Sequence, residues 1–412
     1  MRPQLLTSAT TLDGRVIDLR IDADGRIESV RDHTDTAPVM PLDVDDDFER
    51  VDLSGRLLLA AAVEPHAHLD KAFLSELVVN PTGDLIGAIE AMRANRHLFT
   101  VGETVERAER AARLMAANGY VAVRTHADVT TEHGLTSIEA LVQVRERVAD
   151  IIDVEIVALC GSPVSGAAGA DQRALLRAAL SAGADLVGGC PHLEKFGGDG
   201  DIASATEVLL GVADEFRRPV DLHTDETLDP LADGLDRLAT AVLAGFDLPV
   251  TASHCVSLGQ QAADQQASTA ERVAEAGIAV VTLPHTNLFL QGRGVTPMPR
   301  ALTAVAALRA AGVTVAAGAD NLQDPFNPLG RACPFETAGL MVLAAHMLPD
   351  EAWRMVSSDS NRVVAGPGPD ETAQGFVNGT TANLLSVPAE TIREAIALAP
   401  SDRWVWRAGR RR

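Results

Sequence analysis

The chain is short of several things, and each shortage closes a class of function. Only 4 cysteines occur in 412 residues: Cys160, Cys190, Cys255 and Cys333, none of them in a CxxC pair. That excludes a disulfide scaffold or a cysteine-rich zinc module, and it fits free thiols in a reducing cytoplasm. No run of about 18 apolar residues is present, so no membrane span is expected. Met1 to Thr11 holds no charged segment leading into a long apolar stretch, so no secretory signal is expected either. Positive charge is scarce: 35 Lys and Arg face 57 Asp and Glu, for a net charge of −22. Such a chain repels phosphate backbones, which excludes nucleic acid as an expected partner. The basic end, Arg407 to Arg412, is short and reads as a solvated tail. Aromatics make up only 3%, so Ala, Val and Leu must fill the core. Gly197-Gly198 lacks the GxxxxGK[ST] setting of a phosphate loop.

What is present is a repeated alternation. Residues 1–56 read as short strands and turns, with Val16 to Ile21 and Arg26 to Val30 as strands and Asp43 to Glu49 as a solvated acidic loop. From residue 57, eight apolar runs alternate with Ala- and Leu-rich segments of helical spacing. The runs are Leu57–Val63, Val121–Thr125, Val154–Leu159, Leu186–Cys190, Pro219–Leu222, Leu248–Ser253, Ile278–Leu283 and Val313–Gly318. The helical segments include Thr104–Asn118, Asp171–Ala182, Ala203–Arg217 and Leu231–Ala244. Continuous apolar strands between helices mean a parallel sheet covered on both faces. Eight such units predict a (β/α)8 barrel at 57–361, with an open doubly wound sheet as the structural alternative. After Ser360 the pattern stops. Gly366-Pro367-Gly368-Pro369 reads as a linker, and Asn383–Val387 and Trp404–Trp406 as strands. Segments 1–56 and 362–412 are each too small to fold alone. They are expected to pair as one small β-sandwich domain beside the barrel.

The chemistry gathers at the strand ends. Of 11 histidines, His66, His68, His126, His192, His223, His254 and His285 fall at or just past the carboxyl end of a predicted strand. Asp320 follows the eighth. In a β/α barrel all these ends open onto one face, so residues distant in sequence converge on one mouth. His66-Ala67-His68 is a period-2 pair that can grip one metal ion. Neutral imidazoles with one carboxylate suit zinc or iron(II). Such an ion lowers the pKa of bound water toward ~7. Glu226, three positions past His223, can carry a proton from that water to a ring nitrogen; alternatively it is a surface carboxylate. His254 can orient the hydroxide or stabilise charge at the tetrahedral carbon; alternatively it is a satisfied strand-end histidine. Asp320 can bind metal and accept a proton, or can merely cap a helix. Cys255 reads as a buried thiol. His192 and Glu194 form an HxE without the PCxxC that the small cytidine-deaminase fold needs; both remain candidates for lining the pocket. Lys195 reads as a surface lysine rather than a carboxylated metal bridge. His126, Asp128 and His285 stand as candidates for the pocket or its supporting layer.

These residues sit in segments that resemble the cytosine deaminase branch of the amidohydrolase superfamily. The segments are Val63 to Lys71, Val123 to Val129, Asp221 to Glu226, Thr251 to His254 and Gly318 to Asn321. Leu290 to Arg293, Asp324 to Gly330 and Ala382 to Leu385 join them in the same order. The resemblance implies one divalent metal ion, Zn2+ or Fe2+, held by His66, His68, His223 and Asp320. It further implies Glu226 as proton shuttle, His254 as positioner of the attacking hydroxide, the small domain of terminal segments, and a homo-oligomer. Two departures bear on substrate. Gly161 stands where cytosine deaminases carry a base-reading glutamine, and a site without that group loses discrimination. Asn321 follows Asp320 where they carry a second aspartate. His68-Leu69-Asp70-Lys71 and Asp320-Asn321 look more like the isopropylammelide amidohydrolase branch, which acts on N-alkylated triazines. Gly161, His192, Glu194, Asn321 and Phe326 are therefore the expected substrate contacts.

The expected reaction is hydrolytic deamination of an amino-substituted N-heterocycle, with cytosine or a related pyrimidine as the leading small-molecule substrate. An N-alkylaminotriazine or a cyclic guanidine is the next candidate. Hydrolysis of a cyclic amide by the same barrel, and a non-catalytic scaffold, are the rivals.

Overall fold

A computed structural model describes residues 1–33, 48–194, 200–366 and 376–412. Lys195, Gly197-Gly198, most of the acidic stretch Asp43 to Glu49 and the prolines of the Gly366–Pro369 linker lie outside these residues. Among the described residues no helix is long and apolar enough to cross a membrane.

The two chain ends build one mixed sheet. From the N-terminal side come β1 (Gln4–Thr10), β2 (Val16–Ile21), β3 (Ile27–Asp32), β4 (Glu49–Asp52) and β5 (Leu57–Ala60). From the C-terminal side come β14 (Leu384–Val387), β15 (Trp404–Arg407) and β16 (Arg410–Arg411). The hydrogen-bonded order is β16-β15-β14-β5-β1-β2-β3, with β4 also pairing β1. Leu6, Ile17, Leu19, Ile21, Leu58, Leu384 and Trp406 form its separate apolar core. Arg56 stitches the two ends. Its guanidinium donates to Ser386 Oγ (3.1 Å), to the Ser386 carbonyl (3.0 Å) and to Asp402 Oδ2 (2.6 Å).

The run Leu57–Val63, expected as one barrel strand, is two strands. Leu57–Ala60 pairs antiparallel with β14, and the barrel begins only at β6 (Ala62–Ala67). Ala61 N donates to Asn383 O in the small sheet, and Ala62 N donates to Gly119 O in the barrel. The change of partner is therefore complete within one residue. The run is continuously apolar because both strands are buried, so hydropathy carries no mark of the switch.

The barrel strands follow as β7 (Tyr120–Val129), β8 (Asp153–Cys160), β9 (Leu186–Gly189), β10 (Val220–Thr224), β11 (Val250–His254), β12 (Ala279–Thr282) and β13 (Val315–Ala317). They pair in sequence order and in parallel. Strands β9, β10 and β11 are buried at every position, as a sheet covered by helices outside and side chains inside requires. The helix Val101–Ala117 shows how few aromatics suffice. Thr100 caps it by accepting from Glu103 N (3.3 Å), and it buries Val105, Ala108, Ala111, Ala112, Met115 and Ala116 on one face. Small side chains let its axis approach the strands closely.

Closure decides between barrel and open sheet. The first and last strands meet through a parallel bridge between Ala67 and Asp320. There Asp320 N donates to His66 O (3.0 Å) and His68 N donates to Asp320 O (3.2 Å). The seam that shuts the barrel is thus made by the backbones of three expected metal ligands.

Candidate active site

Five buried imidazoles, from His66, His68, His126, His223 and His254, crowd together at the carboxyl ends of β6, β7, β10 and β11. In eight of their ten pairings the ring centroids lie 3.8 to 5.6 Å apart. His68 Nε2 is 3.3 Å from His223 Nε2 and 3.3 Å from Asp320 Oδ1. His66 Nε2 is 3.7 Å from Asp320 Oδ1, and His254 Nε2 is 3.9 Å from Asp320 Oδ2. Two groups, His66-His68-His223 and His66-His254-Asp320, each bring their donor atoms within 4.8 Å of one another. Burial and the neighbouring imidazoles drive the pKa values of His66 and His223 well below the ordinary histidine value. Both rings are therefore neutral, the form that ligates metal. Burial opposes ionisation of Asp320, yet His68 and His254 hold its carboxyl below the usual range.

Three of the rings, His66, His68 and His254, are clamped through their other nitrogen. His66 Nδ1 donates to Ser253 Oγ (2.9 Å), and that hydroxyl donates to Asp221 Oδ1 (2.8 Å). Asp221 in turn takes a bond from Arg124 (3.0 Å). His68 Nδ1 donates to the His126 carbonyl (3.2 Å). Lys71 Nζ is 3.0 Å from the same nitrogen but is taken by Asp128 Oδ1 at 2.8 Å. His254 Nδ1 donates to Asn287 Oδ1 (2.9 Å). Supporting bonds of this kind fix the tautomer and aim Nε2 inward. The chain also bends to present these groups. His254 (φ 71°) and Asp320 (φ 64°) both sit in the left-handed region, which costs a non-glycine residue ~1 kcal/mol or more.

The aimed atoms lack protein partners. His66 Nε2, His254 Nε2 and both Asp320 oxygens are buried without a hydrogen bond. Buried polar atoms left so are rare and costly. Several lone pairs and one carboxylate converging on one point are what a divalent cation satisfies. The residues present therefore fit such an ion.

Glu226 stands beside this cluster, with Oε1 3.6 Å from His254 Nδ1. Burial and the charge of Asp320 push its carboxyl up to about 7, against the pull of His254. A carboxyl poised there exchanges a proton readily near neutral pH.

The cluster floors a cavity of about 320 Å³. His68, His223, Glu226, His254 and Asp320 line one side. Leu85, Ile89 and Met92, from the helix Leu85–Ala94, cover it together with Leu159, Leu193 and Phe326. Asp84 caps that helix by accepting from Gly87 N (2.8 Å). Gly161 also lines the cavity. A Cβ there would lie 3.0 Å from Thr130 Cγ2, so any larger side chain at this position would press on Thr130. Asn321 lines the cavity while its amide is held by Asp324 (2.8 Å) and Thr286 (3.1 Å).

Other expected contacts lie elsewhere. The Glu194 carboxylate is spent on the loop after β8, accepting from Val164 N (3.0 Å), Ser165 N (2.8 Å) and Ser165 Oγ (2.6 Å). It does not line the cavity, because the single turn Pro191–Leu193 carries it back toward that loop. His192 braces β10 through Nδ1 to the His223 carbonyl (3.1 Å) and faces a smaller adjoining space. His285 bonds Thr337 Oγ1 (3.1 Å) outside the cavity. His126 stacks on His66 at 3.8 Å beneath the cluster, and Cys255 is a buried thiol facing the Ala252 and Ser253 carbonyls.

Sequence reasoning missed the covering helix, and Arg93 and Arg96 with it. The spacing Leu85, Ile89, Met92 marks one apolar face and could have shown it. It also missed Ser253 and Asn287, which no spacing rule singles out.

The amidohydrolase family profile matches residues 74–364. Pterin deaminase of Rhizobium rhizogenes (strain K84) is 32% identical over 396 residues, covering 94% of this chain and 86% of that protein. N-isopropylammelide isopropyl amidohydrolase of Pseudomonas sp. (strain ADP) is 22% identical over 332 residues, 77% of either chain. Among solved structures, 5-methylcytosine deaminase from Klebsiella pneumoniae liganded with 5-fluorocytosine superposes with a TM-score of 0.85. It is 28% identical, covering 99% of this chain and 96% of that one.

Proposed function

This chain belongs to the amidohydrolase family, and from that premise we propose that it hydrolytically deaminates an aminopyrimidine ring fused to a second ring, a heterocycle of pterin size. The observation that carries the reaction is the set of buried, partnerless donor atoms on His66, His254 and Asp320 with Glu226 beside them. The observation that carries the substrate size is a cavity of about 320 Å³ whose lining at Gly161 carries no side chain. The similarity to a pterin deaminase points the same way.

Zn2+ or Fe2+ held by His66, His68, His223 and Asp320 would supply Lewis acidity and make water more acidic. The chain's own groups do the rest. The apolar side chains Leu85, Ile89, Met92 and Phe326 sandwich a flat ring and exclude bulk water. Glu226 takes a proton from the attacking water and delivers it to the ring nitrogen beside the amino-bearing carbon. His254, held by Asn287, presents Nε2 to accept a hydrogen bond from the oxygen that adds to that carbon. A proton then passes to the amino group, the C–N bond breaks, and ammonia leaves as the carbonyl forms. One water is consumed for each ammonia released. The four unpaired cysteines fit a cytoplasmic setting.

The test is metal quantitation on purified protein together with an ammonia-release screen over pterin, cytosine and an N-alkylaminotriazine. About one equivalent of zinc or iron and the fastest release from pterin are expected. Ammonia from cytosine alone would overturn the size argument. A new carboxylate without ammonia would mean ring opening rather than deamination.

A further inference from the structure

Two guanidiniums line the cavity with no bond to show for it. Arg93 is the last basic residue of the covering helix and Arg96 opens the next turn, three residues on. Both contribute to the cavity wall. Neither guanidinium makes an ion pair or side-chain hydrogen bond with any described residue, and Arg96 Nε is buried without an acceptor. By contrast, Arg107, Arg113, Arg124 and Arg145 all reach carboxylates. The nearby acids do not fill the role. Asp128 is bonded to Lys71 at 2.8 Å. Glu132 feels both arginines only at longer range. Glu90 lines the same wall unpaired.

A desolvated N–H without an acceptor is costly, and a planar guanidinium is matched best by a planar, two-oxygen anion. We propose that Arg93 and Arg96 bind an anionic substituent, a carboxylate carried by the heterocyclic substrate on the ring remote from the reacting carbon. This rests on the reading of the cavity as an aminoheterocycle site. It goes further by naming the charge that site selects. The apolar stretch of Leu85, Ile89 and Met92 on the same helix would then lie along the ring faces. The two arginines at the helix end would meet the acid.

The experiment is calorimetric titration of full-length, metal-loaded protein carrying Glu226→Gln, which prevents turnover, with pterin and with pterin-6-carboxylate. The carboxylate is expected to bind about ten-fold or more tightly than the neutral parent. In Arg93→Met, Arg96→Met and the double variant, that preference should shrink step by step to about two-fold. Arg93 is exposed, so its substitution tests the idea without endangering the fold. Equal affinity for the two ligands, a preference untouched by both substitutions, or binding of neither ligand would each overturn the proposal. Failure of the deaminase reading shows separately, as an intact binding preference in protein that releases no ammonia when Glu226 is restored.

Discussion

Glu226 and Gly161 carry the two halves of the functional reading. Glu226→Gln keeps the shape of the side chain and removes its proton chemistry. It should cost about 10²-fold or more in kcat while metal content stays at the wild-type level. Metal loss in that variant would make Glu226 a ligand instead. The carboxylate is the form that accepts the water's proton, so kcat/KM should rise with pH as the group ionises. Burial sets it at about 7, and a cation beside it favours the charged form, so the acid limb should lie at or below that pH. A profile that falls across the same range would show that the protonated acid starts the reaction. At Gly161 the incoming Cβ would press on Thr130 Cγ2 at 3.0 Å. Gly161→Gln should therefore cut kcat/KM for a two-ring substrate by about ten-fold or more, with a smaller loss for cytosine. Equal losses on both would detach this position from substrate size.

At the scale of elements, β10 and β11 act as a paired bracket for the ligand rings. Asp221 sits on β10, and Ser253, which it anchors, sits on β11 and holds His66 of β6. Ser253→Ala breaks that relay without touching a ligand atom. Metal affinity should fall by about 10- to 100-fold, as supporting-layer losses commonly do, read by competition with a chelator. Unaltered affinity would show that packing alone orients the ring. The junction of barrel and small sheet has its own weak point. Gly119 ends the helix Val101–Ala117 region at φ 104°, and a Cβ there would meet Leu385 Cδ2 at 2.9 Å. Gly119→Val adds left-handed strain to a clash, for an expected loss of about 2–4 kcal/mol. Thermal denaturation should show it as a clearly lowered midpoint, and an unchanged midpoint would mean that Leu385 yields freely.

For the molecule as a whole, a cation held by this cluster would be coupled to the barrel seam. The backbones of His66, His68 and Asp320 close the ring of strands, and their side chains converge on one point. Stripping the metal leaves their lone pairs facing one another, so it should loosen the seam as well as end activity. Reloading with zinc at about a hundred times its dissociation constant should return about 2.7 kcal/mol, seen as a rise of several degrees in unfolding midpoint. Activity lost without any change in midpoint would separate the site from closure.

The chain's alternation of apolar runs and helical segments determined the barrel by itself, because a strand buried on both faces needs no knowledge of its neighbours to look apolar. Its strand-end residues His66, His68, His126, His223, His254 and Asp320 likewise marked which side chains would meet, because a closed barrel sends all such ends to one face. Other features were settled only by tertiary structure. Leu57–Val63 divides between two sheets, since hydropathy records burial and not the partner that provides it. Glu194 and His192, sequence neighbours of the site, turn away to brace a loop and a strand. Arg93 and Arg96 enter the cavity because a helix between the first two barrel strands folds over its mouth. Such side-chain directions depend on contacts between segments far apart in the chain, and local spacing does not encode them.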